Sequence, residues 1–320
     1  MRAIVQHGYG SPDVLSIDEI ERPAVGDNEV LIRVRAASVN AMDAHMVHAS
    51  AAFGAIMGLR TKRRVRGVDV AGEVEQVGKS VTRFRPRDEV FGFANGSFAD
   101  YASTRQDRVA LKPRTVSFQQ AAAVPMAAIT ALQAWRAAGV QPGHHVIVHG
   151  AGGGVGTFAV QIAKSLGAHV TAVTGPRNVD VVRALGPDEI IDYSRDDFTT
   201  RGARYDVFFD NAATRALSDC ERVFAPKGVL VAVGAPKSGL GAALRHVLTV
   251  LWRSRFAKHR TILLGAKART DDLDTLRQMV DAGTIAPVID RTFSLNDVPE
   301  AIRYVKAGQG RAKVVIDVAG

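Results

Sequence analysis

The stretch His145–Gly156, HVIVHGAGGGVG, followed by TFAVQIAKSLGA, restricts the fold of this chain more than any other segment. Val146, Ile147 and Val148 form a short apolar run, as expected of a strand covered on both faces. Gly150, Gly153 and Gly156 then recur at every third position. A helix pattern starts at once: Phe158, Ala159, Ile162, Ala163 and Leu166 share one face, while Thr157, Gln161, Lys164 and Ser165 share another. Gly167 stands where a helix stop belongs. Strand, glycine turn and helix in this order let backbone N–H groups at a helix N-terminus approach a pyrophosphate with no side chain in the way. The turn predicts a dinucleotide site on Gly150, Gly153, Gly154, Val155 and Gly156; the alternative is a glycine-rich turn without a ligand.

A site for NAD usually offers an Asp or Glu about 20 residues past the first glycine. From Gly150 to Val179 this chain has none. The second strand, HVTAVT, ends at Thr174, and Gly175-Pro176-Arg177-Asn178 follows. Arg177 puts a cation where NAD would want an anion, which suits the 2′-phosphate of NADPH. Otherwise Arg177 is a solvated residue in the first turn of the next helix, where the dipole offers a cation nothing. Pro176, Gly186 and Pro187 punctuate that helix. Tyr193, ending EIIDY, is either a second wall of the adenosine-phosphate pocket or a plain strand-end aromatic.

The chain's 320 residues suit two domains. Residues 1–118 read as β-rich, with period-two stretches in EVLIRVRAASV and GVDVAGEVEQVG. Over 119–265 helix and strand alternate through HVIVHG, HVTAVT, EIID, YDVFFD, GVLVAVG and TILLG, which predicts an α/β, doubly wound, parallel six-stranded sheet. Residues 266–320 are expected to return to the first domain. No apolar run reaches membrane-spanning length, and MRAIVQHGYG lacks a signal-peptide core, which points to a cytoplasmic enzyme. The single cysteine, Cys220, in the helical-looking RALSDCERVF, excludes internal disulfides and reads as an inert packing residue. Net charge is +9, concentrated at Arg60–Arg66 and Arg245–Arg260, but neither cluster sits in a nucleic-acid module. A solvated face or a funnel for an anionic cofactor accounts for it, with no nucleic acid or membrane as partner.

The ordered motifs YGSPDVLSIDEIERP, AASVNAMD, GVDVAGEVEQVG, FRPRDEVFG, GSFADYA, AAAVPMAAITALQA, the glycine turn, RALGPDEIIDY and PVIDRTFSLNDVPEAIRYVKAGQGRAKVVI run nearly end to end. Through them the chain resembles the zinc-independent medium-chain dehydrogenases/reductases of the quinone oxidoreductase-like branch. The resemblance implies a GroES-like catalytic domain, a Rossmann domain, NADPH in the cleft between them, and a homodimer. The zinc-dependent branch carries a cysteine within the stretch AASVNAMD and Gly-His-Glu where this chain has Gly67-Val68-Asp69. Without those ligands nothing stabilises an alkoxide, so simple alcohol oxidation is not expected.

The chemistry this leaves is hydride transfer to an already electrophilic acceptor, a quinone or an α,β-unsaturated carbonyl, for which the protein supplies orientation and a few hydrogen bonds. By the resemblance, Asn40 is the asparagine near nicotinamide and acceptor; on its own it would be a turn residue closing a strand. His45 takes a position held by tyrosine in several relatives, as a donor to the reduced carbonyl or as a surface histidine. Asp43 matches an aspartate that reads as structural. Thr130 matches a threonine close to the cofactor, and Gly234 and Gly265 mark strand ends where ligands of such sheets collect. Arg311 and Lys313 reach the cofactor phosphates or are solvated edge residues. In GAALRHVLTVLWRSRFAKHR, Val247, Leu251 and Trp252 are expected to wall a hydrophobic substrate pocket, a membrane-surface helix being the alternative. The rival functions are a zinc-free NAD(P)-dependent alcohol or aldehyde oxidoreductase, and a non-catalytic, crystallin-like or RNA-associated nucleotide binder. Finally, Arg87 follows Pro86 where relatives have glycine, and a type I turn is the expected adjustment.

Overall fold

The computed structural model describes residues 1–48, 64–234, 248–250, 252 and 259–319. They form two compact units, one of Met1–Met126 with Ala268–Gly320, the other of Ala127–Lys267. The division thus falls at 126/127 and 267/268, where the sequence suggested 118/119 and 265/266. The reason lies in the short helix Phe118–Ala122, which opens on a capping box between Ser117 and Gln120 and packs on the first unit's strands.

The first unit is built on a seven-stranded sheet. Its path runs Ile289–Ser294, Lys313–Asp317, Glu29–Val39, Asp69–Val77, Glu89–Phe93 and Val109–Leu111, and Tyr101–Arg105 also pairs with Glu29–Val39. The tail returns as expected: Val314 pairs with Val39 and Asp317 with Ala36, antiparallel. Val30, Ile32, Val70, Val90, Phe98, Ile302 and Ile316 fill the core beneath. The Pro86 turn departs from expectation. Arg87 has φ +76°, with Asp88 N–H donating to Arg85 O at 3.1 Å, so the turn is type II. Arg87 N–H donates to Val74 O at 2.8 Å, and that link to the neighbouring strand holds the arginine in a region that favours glycine.

The second unit carries the six parallel strands in the order Glu189–Asp192, His169–Thr174, His145–His149, Tyr205–Asp210, Phe224–Ala232 and Arg260–Leu263. The chain builds outward from His145–His149 first to one side and then to the other, the doubly wound arrangement of a Rossmann-like sheet. The helix Gly154–Ser165 is more enclosed than its periodicity suggests. Thr157, placed on its polar face by pattern, is fully buried and donates through Oγ1 to Gly154 O at 3.1 Å, whereas Leu166 lies at the exposed rim. Trp135 Nε1 donates to Ala159 O at 2.9 Å and ties the helix Pro125–Ala138 to it. Cys220 ends the helix Leu217–Cys220 and is buried, its thiol pushed up to about 12 by that burial. It is inert at physiological pH.

Candidate functional site: a glycine cradle and a buried polar network

The second unit carries the glycine turn. Gly150, φ +87°, turns the chain out of the central strand, and Gly153 N–H donates back to its carbonyl at 3.1 Å. Gly153 caps the helix Gly154–Ser165 without any side-chain hydrogen bond, so the N–H groups of Gly154, Val155 and Gly156 open the helix uncapped. The glycines differ in what they are for. A Cβ on Gly156 would stand 2.1 Å from Gly150 O, and one on Gly234 would stand 2.2 Å from Asn211 O, so packing alone demands both. A Cβ on Gly153 would meet nothing closer than 3.5 Å among the described residues, so packing does not demand that glycine. Gly265 has no neighbour within 4 Å of its Cβ position among the described residues.

Sequence reasoning passed over Gly152 and Asn178. A Cβ on Gly152 would lie 2.6 Å from Asn178 Nδ2 and 2.7 Å from Thr174 Oγ1, so turn, second strand end and Asn178 close on one point. Asn178 Oδ1 is buried there without a hydrogen-bond donor among the described residues, an acceptor suited to a ribose hydroxyl. Thr174 is buried and Arg177 exposed in the turn Pro176–Asn178. Tyr193 is exposed, its hydroxyl 2.7 Å from where a Cβ on Gly175 would be. The carboxylate closing the third strand, Asp192, is taken up by Ser194 N–H at 3.0 Å and Ser194 Oγ at 2.7 Å, which hold it below the usual carboxylate range. The cradle therefore fits a dinucleotide, and the second strand ends in Thr174 with Arg177 and Asn178 following rather than in a carboxylate. Beneath it His149 Nδ1 meets Asp210 Oδ1 at 2.9 Å, both fully buried, while Ala213 N–H donates to the same oxygen at 2.9 Å. Thr130 is buried in the helix Pro125–Ala138.

The first unit supplies a polar network centred on Asn40, which is half-buried at the start of the helix Ala41–His48. Asn40 Nδ2 donates to Asp69 Oδ2 at 2.9 Å, and Asn40 Oδ1 accepts from Lys313 Nζ at 2.7 Å. Asn40 N–H donates to Asp43 Oδ2 at 2.8 Å. Asp69 also accepts from Ser38 Oγ at 2.7 Å and Met126 N–H at 3.1 Å, and lies 3.4 Å from Lys313 Nζ. Lys313 is therefore no solvated edge residue: it is 3% exposed and locked into the network. Burial, first of all, drives the Asp43 carboxyl up to about 7, and the charge of Asp69 adds to the rise. The donor set does not fit a zinc ion: Asp69 is saturated by protein donors, its neighbour is Val68, and no cluster of His, Cys, Asp and Glu suited to a metal occurs among the described residues.

His45 is exposed on the same short helix, and partial burial of its ring, then His48 and Lys306, hold it below the usual imidazole range. At neutral pH it offers a hydrogen bond rather than an acidic proton. Arg311 is exposed, its N–H on Asp290 Oδ2 at 3.0 Å. Trp252 is 65% exposed, and Val247 and Leu251 lie outside the described residues, as do 60–63 of the first basic cluster. No helix of the described residues is long and apolar enough to cross a membrane.

Two family descriptions match this chain, an alcohol dehydrogenase GroES-like domain over residues 26–114 and a zinc-binding dehydrogenase over 185–316. The NAD(P)H oxidoreductase RTN4IP1, mitochondrial, of Mus musculus is 32% identical, over 99% of this chain and 89% of its own length. The chloroplastic quinone-oxidoreductase homolog of Spinacia oleracea is 28% identical, over 99% of this chain and 98% of its own. The chloroplastic NADPH-dependent alkenal/one oxidoreductase of Arabidopsis thaliana is 30% identical, over 99% and 79%. Among solved structures, the quinone oxidoreductase of Coxiella burnetii superposes with a TM-score of 0.89 at 29% identity, covering 99% of both chains. The chain belongs to the quinone oxidoreductase-like family of medium-chain dehydrogenases/reductases.

Proposed function

We propose that the protein is an NADPH-dependent reductase of quinones or α,β-unsaturated carbonyl compounds, working without a metal ion. The observation that carries the reading is the Asn40 amide: a half-buried neutral group held at both ends, with no metal-ligand set beside it among the described residues. Such a site orients a carbonyl and stabilises charge on its oxygen, which is all that an activated acceptor requires. Bound NADPH supplies the hydride. The uncapped helix start at Gly154–Gly156 would hold the pyrophosphate, Asn178 Oδ1 a ribose hydroxyl, and Arg177 the 2′-phosphate, with Tyr193 beside it. The relatives named for quinone and alkenal/one reduction support the acceptor class. The Arg260–Leu263 strand lies at the end of its sheet with Leu263 exposed, which supports pairing with a second copy of the chain.

The test is NADPH and NADH oxidation against quinone and enone panels, with and without a chelator. Turnover that survives chelation is expected, and its loss would refute the metal-free reading. Tight NADPH binding with no turnover on any acceptor would instead make the chain a nucleotide-binding protein. Arg177→Ala is expected to weaken NADPH by about tenfold or more and leave NADH nearly unchanged, the loss of one charge-assisted phosphate contact. Equal losses for both cofactors would remove Arg177 from the phosphate site.

A further inference from the structure

Asn40 is gripped by opposite charges at the two ends of its amide. Lys313 Nζ donates to Oδ1 at 2.7 Å, and Asp69 Oδ2 accepts from Nδ2 at 2.9 Å. Both charged side chains are buried, Lys313 at 3% exposure and Asp69 fully. This fixes which end of the amide is which. Turning it over would set an NH2 against an ammonium and a carbonyl oxygen against a carboxylate, two repulsive contacts in a buried place. The charges also act on the amide's remaining N–H. The cation at the oxygen favours the charge-separated resonance form, which strengthens that N–H as a donor, while the anion at the other N–H fixes the direction in which it points. Asp69 is available for this because Ser38 and Met126 N–H satisfy its other sites.

We propose that Lys313 is a positioning residue that, together with Asp69, makes Asn40 an obligate and polarised donor, selecting acceptors whose oxygen becomes anionic on reduction. The inference rests on the hydride-transfer reading above. Hydride arriving at the acceptor carbon displaces an electron pair onto the acceptor oxygen, and the nicotinamide that gave it is left oxidised. The remaining Nδ2–H of Asn40 holds the resulting enolate or hydroquinone oxygen until it takes a proton from water. Polarisation matters most where that oxygen is most basic, so Lys313 should be felt unequally across a series of acceptors.

The experiment compares the wild type with Lys313→Met/Asp69→Asn and with Lys313→Arg, over a series of substituted p-quinones. The double variant removes both charges together and so leaves no unpaired ion in the core. NADPH dissociation constants, read by cofactor fluorescence, should stay within about twofold, since the cradle belongs to the other unit. Turnover should fall by about tenfold or more in the double variant, less than the loss from deleting an oxyanion donor outright. The loss should grow as the product hydroquinone becomes more basic, and Lys313→Arg should restore most of it. A readout without turnover is the side-chain amide resonance of Asn40 in 15N-labelled protein, assigned by its absence in Asn40→Ser. It should exchange slowly with solvent in the wild type and move toward an ordinary asparagine position in the double variant. Unchanged turnover, an equal loss across the series, or an unmoved amide resonance would each overturn the proposal. If the wild type reduces no quinone or enone, the reaction assignment fails instead, and the amide resonance still decides whether Lys313 polarises Asn40.

Discussion

Asp43 makes the stability of the first unit depend on pH in a direction opposite to that of most carboxylates. Its side chain is buried, accepts one N–H from Asn40, and has its pKa raised from the ordinary 3.8 to about 7. Burial is the main cause and Asp69 adds to it, while the Asn40 hydrogen bond, Lys313 and Arg66 pull the other way. Between those two values the folded chain holds a proton at Asp43 that the unfolded chain has lost. Stability from this group is therefore complete below about pH 4 and lost as pH rises through 7, after which it falls no further. Each tenfold change in proton affinity is worth about 1.36 kcal/mol, so the loss amounts to about 4 kcal/mol. Asp43→Asn keeps an oxygen for the Asn40 N–H and has no charge to lose. The measurement is urea unfolding of both proteins by circular dichroism from pH 4 to 8, taking the wild-type-minus-variant difference to cancel every other titrating group. That difference should fall toward high pH by about 4 kcal/mol, with most of the change between pH 4 and 7. A difference flat to within about 1 kcal/mol would show that Asp43 ionises as easily folded as unfolded, and the burial argument would fail.

Other perturbations separate the roles of individual residues. Arg87→Gly relieves a φ of +76° and should stabilise by about 0.5 kcal/mol, a left-handed cost of about 1–2 kcal/mol less the added freedom of glycine; a lower melting temperature would contradict the type II turn. Gly153→Ala and Gly156→Ala should part company: the first folds normally but binds NADPH at least about tenfold more weakly in a fluorescence titration, whereas the second, with its Cβ 2.1 Å from Gly150 O, loses thermal stability as well. Leu263→Asp should shift sedimentation toward the monomer if the exposed sheet edge pairs with a second copy; a wild type that is itself monomeric at micromolar concentration ends that reading.

The second unit was legible because its signals are local. Parallel strands covered on both faces read as short apolar runs, and the helices after the first two of them are closed by Gly167 and by Gly186-Pro187. All six strands and the cradle follow from stretches of a dozen residues. Legibility failed where a distant partner or burial in the folded chain decides. Lys313 reads as a contact to the cofactor phosphates or a solvated edge residue because nothing near it reveals Asn40, 273 positions away, or Asp69, 244 away. Arg87 reads as a type I turn because the pull of Val74 O on its N–H is tertiary. Thr157 reads as polar surface because its hydroxyl finds Gly154 O only inside the helix it helps to start. Asn178 was passed over because an unsatisfied oxygen is a property of burial, which no short motif encodes.

Asp69 explains why these distant residues need to meet. Its strand is central in the first sheet, and its carboxylate accepts from Ser38 on the neighbouring strand and pairs with Lys313 on the returning tail. It also takes the N–H of Met126, the last residue before the chain enters the second unit. One buried charge therefore fastens the tail strand, the last residue of the first unit's leading segment and the Asn40 amide. A charge so placed is costly to bury, and a well-packed apolar residue would serve closure of the sheet as well or better. What an apolar residue would not do is orient the amide beside it. On the proposed function, removal of this ion pair should cost turnover more than it costs stability once both charges are removed together.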